Sequence, residues 1–325
     1  MFACILFLLR AILAGSGFAA ISASVLAQGY PAKPIRVVIP FPPGGVDLVV
    51  RLMQQRLNAG LGQPIVIENR AGATGMIGTA LVARAAPDGY TLLHVPGAGL
   101  ALRKFVSVNP VPDMLKDLTP IATTVDVATF IVVGASVPVS TMKELVDYAK
   151  KNPGKLNYGS AGIASTQHLM GELLVQNGVD MVHVPFPGIA PALAALLGDS
   201  IQMSFHALAS VNGAVKEGKL KVLATPLAKR YEGAPQIPTV NEILPAFEMP
   251  QYWMGFFGPP ALPQAIVSRI NSEVGKALEA AEVAAKLSEQ DFIVIKTAPD
   301  QITGFVKSSV DAYERLLSKV KIPPQ

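Results

Sequence analysis

Three short clusters hold residues whose types and spacing can do chemistry. The first is Pro40-Phe41-Pro42-Pro43-Gly44-Gly45, which follows the apolar run Ile35-Arg36-Val37-Val38-Ile39. It precedes a helical pattern that places Val49, Leu52, Met53 and Leu57 on one face. A β-branched strand, a stiff glycine turn and a helix start leave backbone N–H groups free at the strand's carboxyl end, which makes an anion site. The glycines let a ligand approach the backbone, and the prolines hold the loop in shape. The turn lacks the Lys-Ser/Thr of a phosphate loop and the third glycine of a dinucleotide fingerprint. By itself it reads equally as a small-anion turn or as a plain strand-to-helix connection. Asp47, just inside the helix, reads as a cap, since a carboxylate there repels an anion.

The second cluster is Ser160-Ala161-Gly162 with Ser165 and Thr166, between a strand and a helix. Small residues permit close approach, and hydroxyls with N–H groups suit carboxylate oxygens. A plain N-cap at Ser165 or Thr166 is the structural alternative, and both roles can coexist. The third is Gly188, Ala190 and Pro191, which opens another helix and offers a further set of N–H donors.

Catalytic and metal chemistry find less support. The histidines His94, His168, His183 and His206 lack metal-ligand spacing, and there is no Gly-x-Ser-x-Gly elbow or His-Glu-x-x-His. A Ser160–His168 pair has no evident third member, which makes an exported serine hydrolase the weaker alternative. That alternative requires hydroxyl-directed inhibitors to label Ser160 or Ser165. No enzyme activity, cofactor or metal is expected.

The 325 residues suit two domains, and half of them are apolar, enough for a sizeable core. The net charge of +4 is small and dispersed, and no basic, aromatic-interleaved patch suggests nucleic acid. The apolar segments Ile5–Leu9 and Ala11–Leu26 end in Val25-Leu26-Ala27. This predicts a signal peptide over residues 1–27, cleaved after Ala27, with export and a mature chain starting at Gln28. Gly15, Ser16, Gly17, Ser22 and Ser24 make the segment a poor membrane span, so no stable anchor is expected in the mature form. Cys4 is the only cysteine and falls inside the predicted signal, so the mature chain has no disulfide, thiol nucleophile or zinc thiolate.

Strand and helix patterns alternate along the rest. Strands are expected at 65–68, 91–95, 130–133, 156–159, 181–185, 201–205, 220–224, 253–257 and 292–295. Helices are expected at 75–85, after the capping box Thr141-Met142-Lys143-Glu144, at 166–176, 191–197, 263–280 and 299–319, with a short one before Phe292. The pattern predicts an α/β protein with mixed, mainly parallel sheets. With no linker, the chain is expected to cross between two domains near Thr124 and Trp253. The first domain is then 28–123 plus 254–325, and the second 124–253.

Eight stretches in order carry a resemblance. They are Tyr30-Pro31-Ala32-Lys33-Pro34-Ile35-Arg36, the Pro40–Gly45 turn, Val66-Ile67-Glu68-Asn69-Arg70-Ala71-Gly72, Ala83 to Leu93, Pro153 to Gly162, His183-Val184-Pro185-Phe186, Ala190-Pro191-Ala192-Leu193, and Ile237-Pro238-Thr239-Val240. From about Tyr30 onward the chain closely resembles the Bug-type family, the periplasmic receptors of tripartite tricarboxylate transporters. The resemblance implies a type II periplasmic binding protein, a two-domain clamshell closing on a small carboxylate and then meeting a small-plus-large permease pair. It implies that Phe41, Pro43, Gly44 and Gly45 and the Ser160–Gly162 loop hold one carboxylate. It also implies a ligand-reading side chain near His206, where a hinge or surface histidine is the alternative. His94 gets the same two readings, His168 matches a family position on a first helical turn, and His183 reads as structural. The chain departs from the family in having one residue, Val46, between Gly45 and Asp47, and Phe186-Pro187 in place of Tyr-Lys. The named loops contain no Lys or Arg, which favours a monocarboxylate or aromatic acid over citrate. A monomer is expected. A sensor protein in place of a permease would use the same ligand site, so the sequence leaves that partner open.

Overall fold

In a computed structural model of the chain, residues 29–108 and 110–320 are described. The expected signal segment, its cleavage site after Ala27 and Cys4 lie outside the described residues. Eleven strands form two sheets. The first has six strands in the order β11-β4-β10-β3-β1-β2, and the second has five in the order β7-β6-β8-β5-β9.

The first sheet is built from β1 (Ile35–Ile39), β2 (Ile65–Asn69), β3 (Thr91–Pro96), β4 (Thr119–Val127), β10 (Trp253–Gly258) and β11 (Phe292–Val294). Strand β1 pairs in parallel with β2 and β3, while β10 runs antiparallel to β3 and β4, and β11 antiparallel to β4. In the second sheet β6 (Asn157–Ser160) pairs in parallel with β7 (Val182–Pro185) and β8 (Met203–His206). Strand β5 (Phe130–Gly134) runs antiparallel to β8 and to β9 (Leu220–Ala224). Both sheets are mixed, as expected. The parallel pairings are confined to the strand–helix–strand part of each sheet, where the clefts form, and the strands that carry the chain between sheets pair antiparallel.

Among the described residues, ten α-helices cover the sheets. They are α1 (Gly45–Leu61), α2 (Met76–Ala83), α3 (Gly97–Val106), α4 (Met142–Lys151), α5 (Thr166–Gln176), α6 (Ile189–Leu197), α7 (Leu208–Lys216), α8 (Gln264–Glu279), α9 (Ala281–Glu289) and α10 (Ile302–Leu317). Helix α1 buries Val49, Val50, Met53, Leu57 and Leu61, the apolar stripe of an amphipathic helix, against α8 and the outer face of the first sheet. A second cluster, with Phe130, Val132, Leu196, Ile201 and Val211, lies under α6 and α7. The largest core is continuous, running from Leu93 and Val95 through Trp253, Phe257 and α10 to Tyr158, Leu169 and Phe205 in the second half.

Four elements differ from the sequence reading, one of them helix α7, which forms at Leu208–Lys216 where no element is expected. Strand β4 forms at Thr119–Val127, where no strand is expected, so the first sheet extends past Thr124 and the second begins at Phe130. Helix α3 forms where Gly97, Gly99 and Pro96 suggest a loop; tertiary packing on α10 and β10 overrides the weak local propensity. Helix α6 starts at Ile189, so Pro191 is its third residue instead of its first.

Candidate functional site: a cavity ringed by helix N-termini

A cavity of about 240 Å³ lies between loops of the two sheets. Its walls include Phe41 to Val46 after β1, Thr74 to Met76 at the start of α2, and Pro96, Gly99, Leu100 and Arg103 of α3. The opposite wall consists of Ala161, Ala164 to Gln167 and Pro187 to Pro191, with Tyr252 closing the hinge side. Five helices therefore begin at this one space: α1, α2 and α3 from the first sheet, α5 and α6 from the second. Each leaves first-turn N–H groups without an intrahelical acceptor and carries a positive dipole end.

Local bonds set the loops. The Phe41 carbonyl accepts from Asn69 Nδ2 at 2.9 Å, tying the β1–α1 turn to β2. Gly44 is the N-cap of α1, and Asp47, its third helical residue, accepts from Gly44 N through Oδ1 and from Arg51 Nε at 2.7 Å through Oδ2. Asp47 thus caps as expected, and it occupies the Gly44 N–H, leaving Gly45 and Val46 as the donors of this turn. On the facing wall Ser165 is the N-cap of α5, its Oγ accepting from His168 N at 3.2 Å. Thr166 and Gln167 are the free donors there. In α6, Ile189 and Ala190 can donate, whereas Pro191 has no N–H. Pro191 contributes wall, not the donor expected of it.

Phe41, Pro43, Gly44, Gly45, Ala161, Ser165, Thr166, Gly188, Ala190 and Pro191 all stand on the cavity wall. Ser160, Gly162 and His206 do not. Ser160 is fully buried, 2.7 Å from His183 Nε2, and its Oγ also accepts from Gly162 N at 3.1 Å. Gly162 has φ +115°, and a Cβ there would lie 3.3 Å from the Phe186 carbonyl and 3.7 Å from Thr74 Oγ1, so it marks where the two walls meet. His206 ends β8 but is buried, and its Nε2 has no partner. Burial pushes its pKa down to about 4, which leaves the imidazole neutral.

The other histidines support the walls from behind. His168 Nδ1 accepts from Ala164 N at 3.1 Å, fixing the turn into α5. Its ring stacks on His183 at 3.9 Å between centroids. Burial, then the neighbouring His183, pushes His168 down to about 3, and burial pushes His183 down to about 4. His94 is fully buried in β3, with Nε2 3.1 Å from Thr124 Oγ1, and is pushed down to about 3, chiefly by burial. No cluster of histidines and acids among the described residues is arranged to hold a metal.

Arg103 was outside every motif read from the sequence. It is the only charged side chain lining the cavity. It is half-buried, and burial lowers its pKa from the ordinary guanidinium range. Among the described residues its guanidinium hydrogen bond runs from Nη2 to the Ile163 carbonyl at 2.9 Å, linking α3 of the first half to the loop before α5 in the second. The remaining wall is mostly apolar, with Met76, Val95, Leu100 and Ile189 beside the prolines.

Two α/β halves whose helix N-termini face one another across an anion-suited cavity define a periplasmic binding protein fold. The chain belongs to the family described as tripartite tricarboxylate transporter family receptor, whose model matches residues 49–322. Protein BugT of Bordetella pertussis is 31% identical over 300 residues, spanning 91% of each chain. Among solved structures, the periplasmic binding protein BugD is similar at 31% identity with a TM-score of 0.83, covering 91% of this chain and all of that one. The R. palustris protein Rpa4515 with adipate is similar at 29% identity with a TM-score of 0.85, again over 91% of this chain and all of its own.

Proposed function

We propose that this chain is a periplasmic solute-binding receptor that captures a small organic carboxylate and delivers it to the permease subunits of a tripartite transporter. The observation that carries this reading is the convergence of five helix N-termini on one cavity whose single charged side chain is a cation. Such a site favours anions through N–H donors and aligned dipoles. Family membership supports the receptor role, and the adipate held by Rpa4515 supports a carboxylate as ligand.

The two sheets serve as two lobes, the first holding residues 29–127 and 253–320 and the second residues 128–252. The carboxylate docks on the N–H groups of Gly45 and Val46 from one lobe and of Thr166, Gln167, Ile189 and Ala190 from the other. Only the closed arrangement offers both sets, so the ligand stabilises closure by its differential affinity for that state. The receptor is a monomer, needs no cofactor and catalyses no reaction; the Ser160 hydroxyl lies buried behind the wall, bonded to His183 and Gly162. The protein is exported by the signal segment ending at Ala27.

A thermal-shift screen of protein starting at Gln28 against small carboxylates tests this reading. Saturable stabilisation by acids, absent with the corresponding amides, is expected, because a native-state binder raises apparent stability by mass action. Equal response to acids and amides overturns the anion site.

A further inference from the structure

Among the described residues, Arg103 is a half-buried cation with no counter-ion. Its guanidinium donates to the neutral Ile163 carbonyl, and burial lowers its pKa. A guanidinium has five N–H donors, and the Ile163 bond engages one of them. A desolvated charge left uncompensated is costly. The remaining donors border the same cavity as the helix N-termini.

Gly45, Val46, Thr166, Gln167, Ile189 and Ala190 give six first-turn N–H groups around the cavity. One carboxylate presents about four lone-pair sites. The backbone set alone therefore meets the needs of a first carboxylate, and the guanidinium is left over. Between them the wall is largely apolar, its polar side chains besides Arg103 being Thr74, Ser165, Thr166, Gln167 and Tyr252, of which Ser165 is engaged in the α5 cap.

We propose that Arg103 is the specificity-determining residue of this receptor: it takes a second anionic group of the ligand, selecting dicarboxylates with a hydrocarbon body. This rests on the carboxylate-receptor reading above. It reverses the preference for monocarboxylates drawn from the loops alone, because Arg103 lies on a helix that those loops do not include. The same guanidinium holds the Ile163 carbonyl of the opposite lobe, so the second anionic group docks where the lobes touch and its charge is felt at closure.

Calorimetric titration at about pH 7.5, where carboxylates are ionised, tests the assignment with matched pairs: butanedioate and butanoate, hexanedioate and hexanoate, terephthalate and benzoate. Wild-type protein is expected to prefer the diacid of at least one pair by about 10-fold or more, the scale of a hydrogen bond to a charged group. Arg103→Gln is expected to collapse that ratio towards unity, and Arg103→Lys, which keeps a point charge, to retain part of it. A ratio unchanged in Arg103→Gln overturns the assignment, as does an equal loss for both members of the pair, which is what a purely structural latch gives. A wild-type ratio near unity overturns it while leaving the receptor reading intact. Failure of wild-type protein to bind any of the six acids removes both. Far-ultraviolet circular dichroism and the melting temperature of each variant separate loss of binding from loss of fold.

Discussion

Gly45 is the first residue of α1 and faces the cavity, with open space where a Cβ would project. Steric strain and charge can therefore be separated there. Gly45→Ala is expected to keep affinity within a few-fold, and Gly45→Asp to lose more than about 100-fold, since two like charges 4 Å apart repel by about 4 kcal/mol at a near-surface dielectric. Calorimetry on both variants checks this; equal losses would place the anion elsewhere. The buried imidazoles make a second prediction. His94 and His168 sit at about 3, and His183 and His206 at about 4, chiefly through burial. A depressed histidine favours the fold above its unfolded value of about 6.5, and that stability is lost as pH falls from there towards the folded value. Asp126, whose carboxyl burial raises to about 6, and Asp291, also raised by burial, act in the opposite sense, but two carboxyls are outweighed by four imidazoles. Urea unfolding should show stability falling by several kcal/mol from about pH 7 to about pH 5, and His206→Gln should make that fall shallower by about 2 kcal/mol. At this scale the glycine turn and Ser165 were legible, because their residue types state their backbone roles. Arg103 was not, because a lone arginine in a sequence does not reveal which cavity it lines.

Elements carry the site by where they stop. Strand β1 ends at the proline turn, β6 ends at Ser160, and the helices that follow begin on the cavity. Helix α5 is seated directly on β6: a Cβ on Gly171 would come within 2.0 Å of the Tyr158 ring. Tyr158 is in turn held by its hydroxyl, which donates to Glu172 at 2.7 Å. Gly171→Ala is expected to cost about 1–3 kcal/mol in denaturant unfolding, as overpacking does, and to weaken ligand binding by displacing Thr166 and Gln167. A stable variant with full affinity would show that α5 shifts freely. The Thr141 capping box was readable, and Thr141 Oγ1 does accept from Glu144 N at 3.1 Å. Helix α3 and strand β4 were not readable. Glycines at positions 97 and 99 weaken the helical signal of α3, and β4 is buried along nearly its whole length, so it lacks the alternation that marks a half-exposed strand. The missed helix is the reason for the missed arginine.

The two lobes are joined by the short passage from Val127 to Phe130 and by the return into β10 at Trp253. Trp253 is anchored by Nε1 to Ser309 Oγ at 2.8 Å and packs edge-on against Phe305. This fixes the hinge to α10 of the first lobe. The proposed closure therefore acts on the cavity walls, which meet at Thr74 with Gly162 and at Arg103 with Ile163. Small-angle X-ray scattering should give a smaller radius of gyration with saturating ligand than without it, and an unchanged radius would argue against a clamshell. Most strands other than β4 followed from patterns in the sequence, and the presence of two halves from the chain length and the family resemblance. Where the halves touch did not, because Thr74 and Gly162 lie 88 positions apart and Arg103 and Ile163 lie 60 apart, separations on which local pattern is silent.

The meeting of Thr74 with Gly162 also has a practical use. Cys4 is the sole cysteine of the chain, so protein produced from Gln28 onward has no thiol. Thr74→Cys would then install a unique attachment point at the lip of the cavity. An environment-sensitive dye coupled there would pass from water to a protein wall as the lip shuts, converting the receptor into a reagentless optical sensor for its own solute.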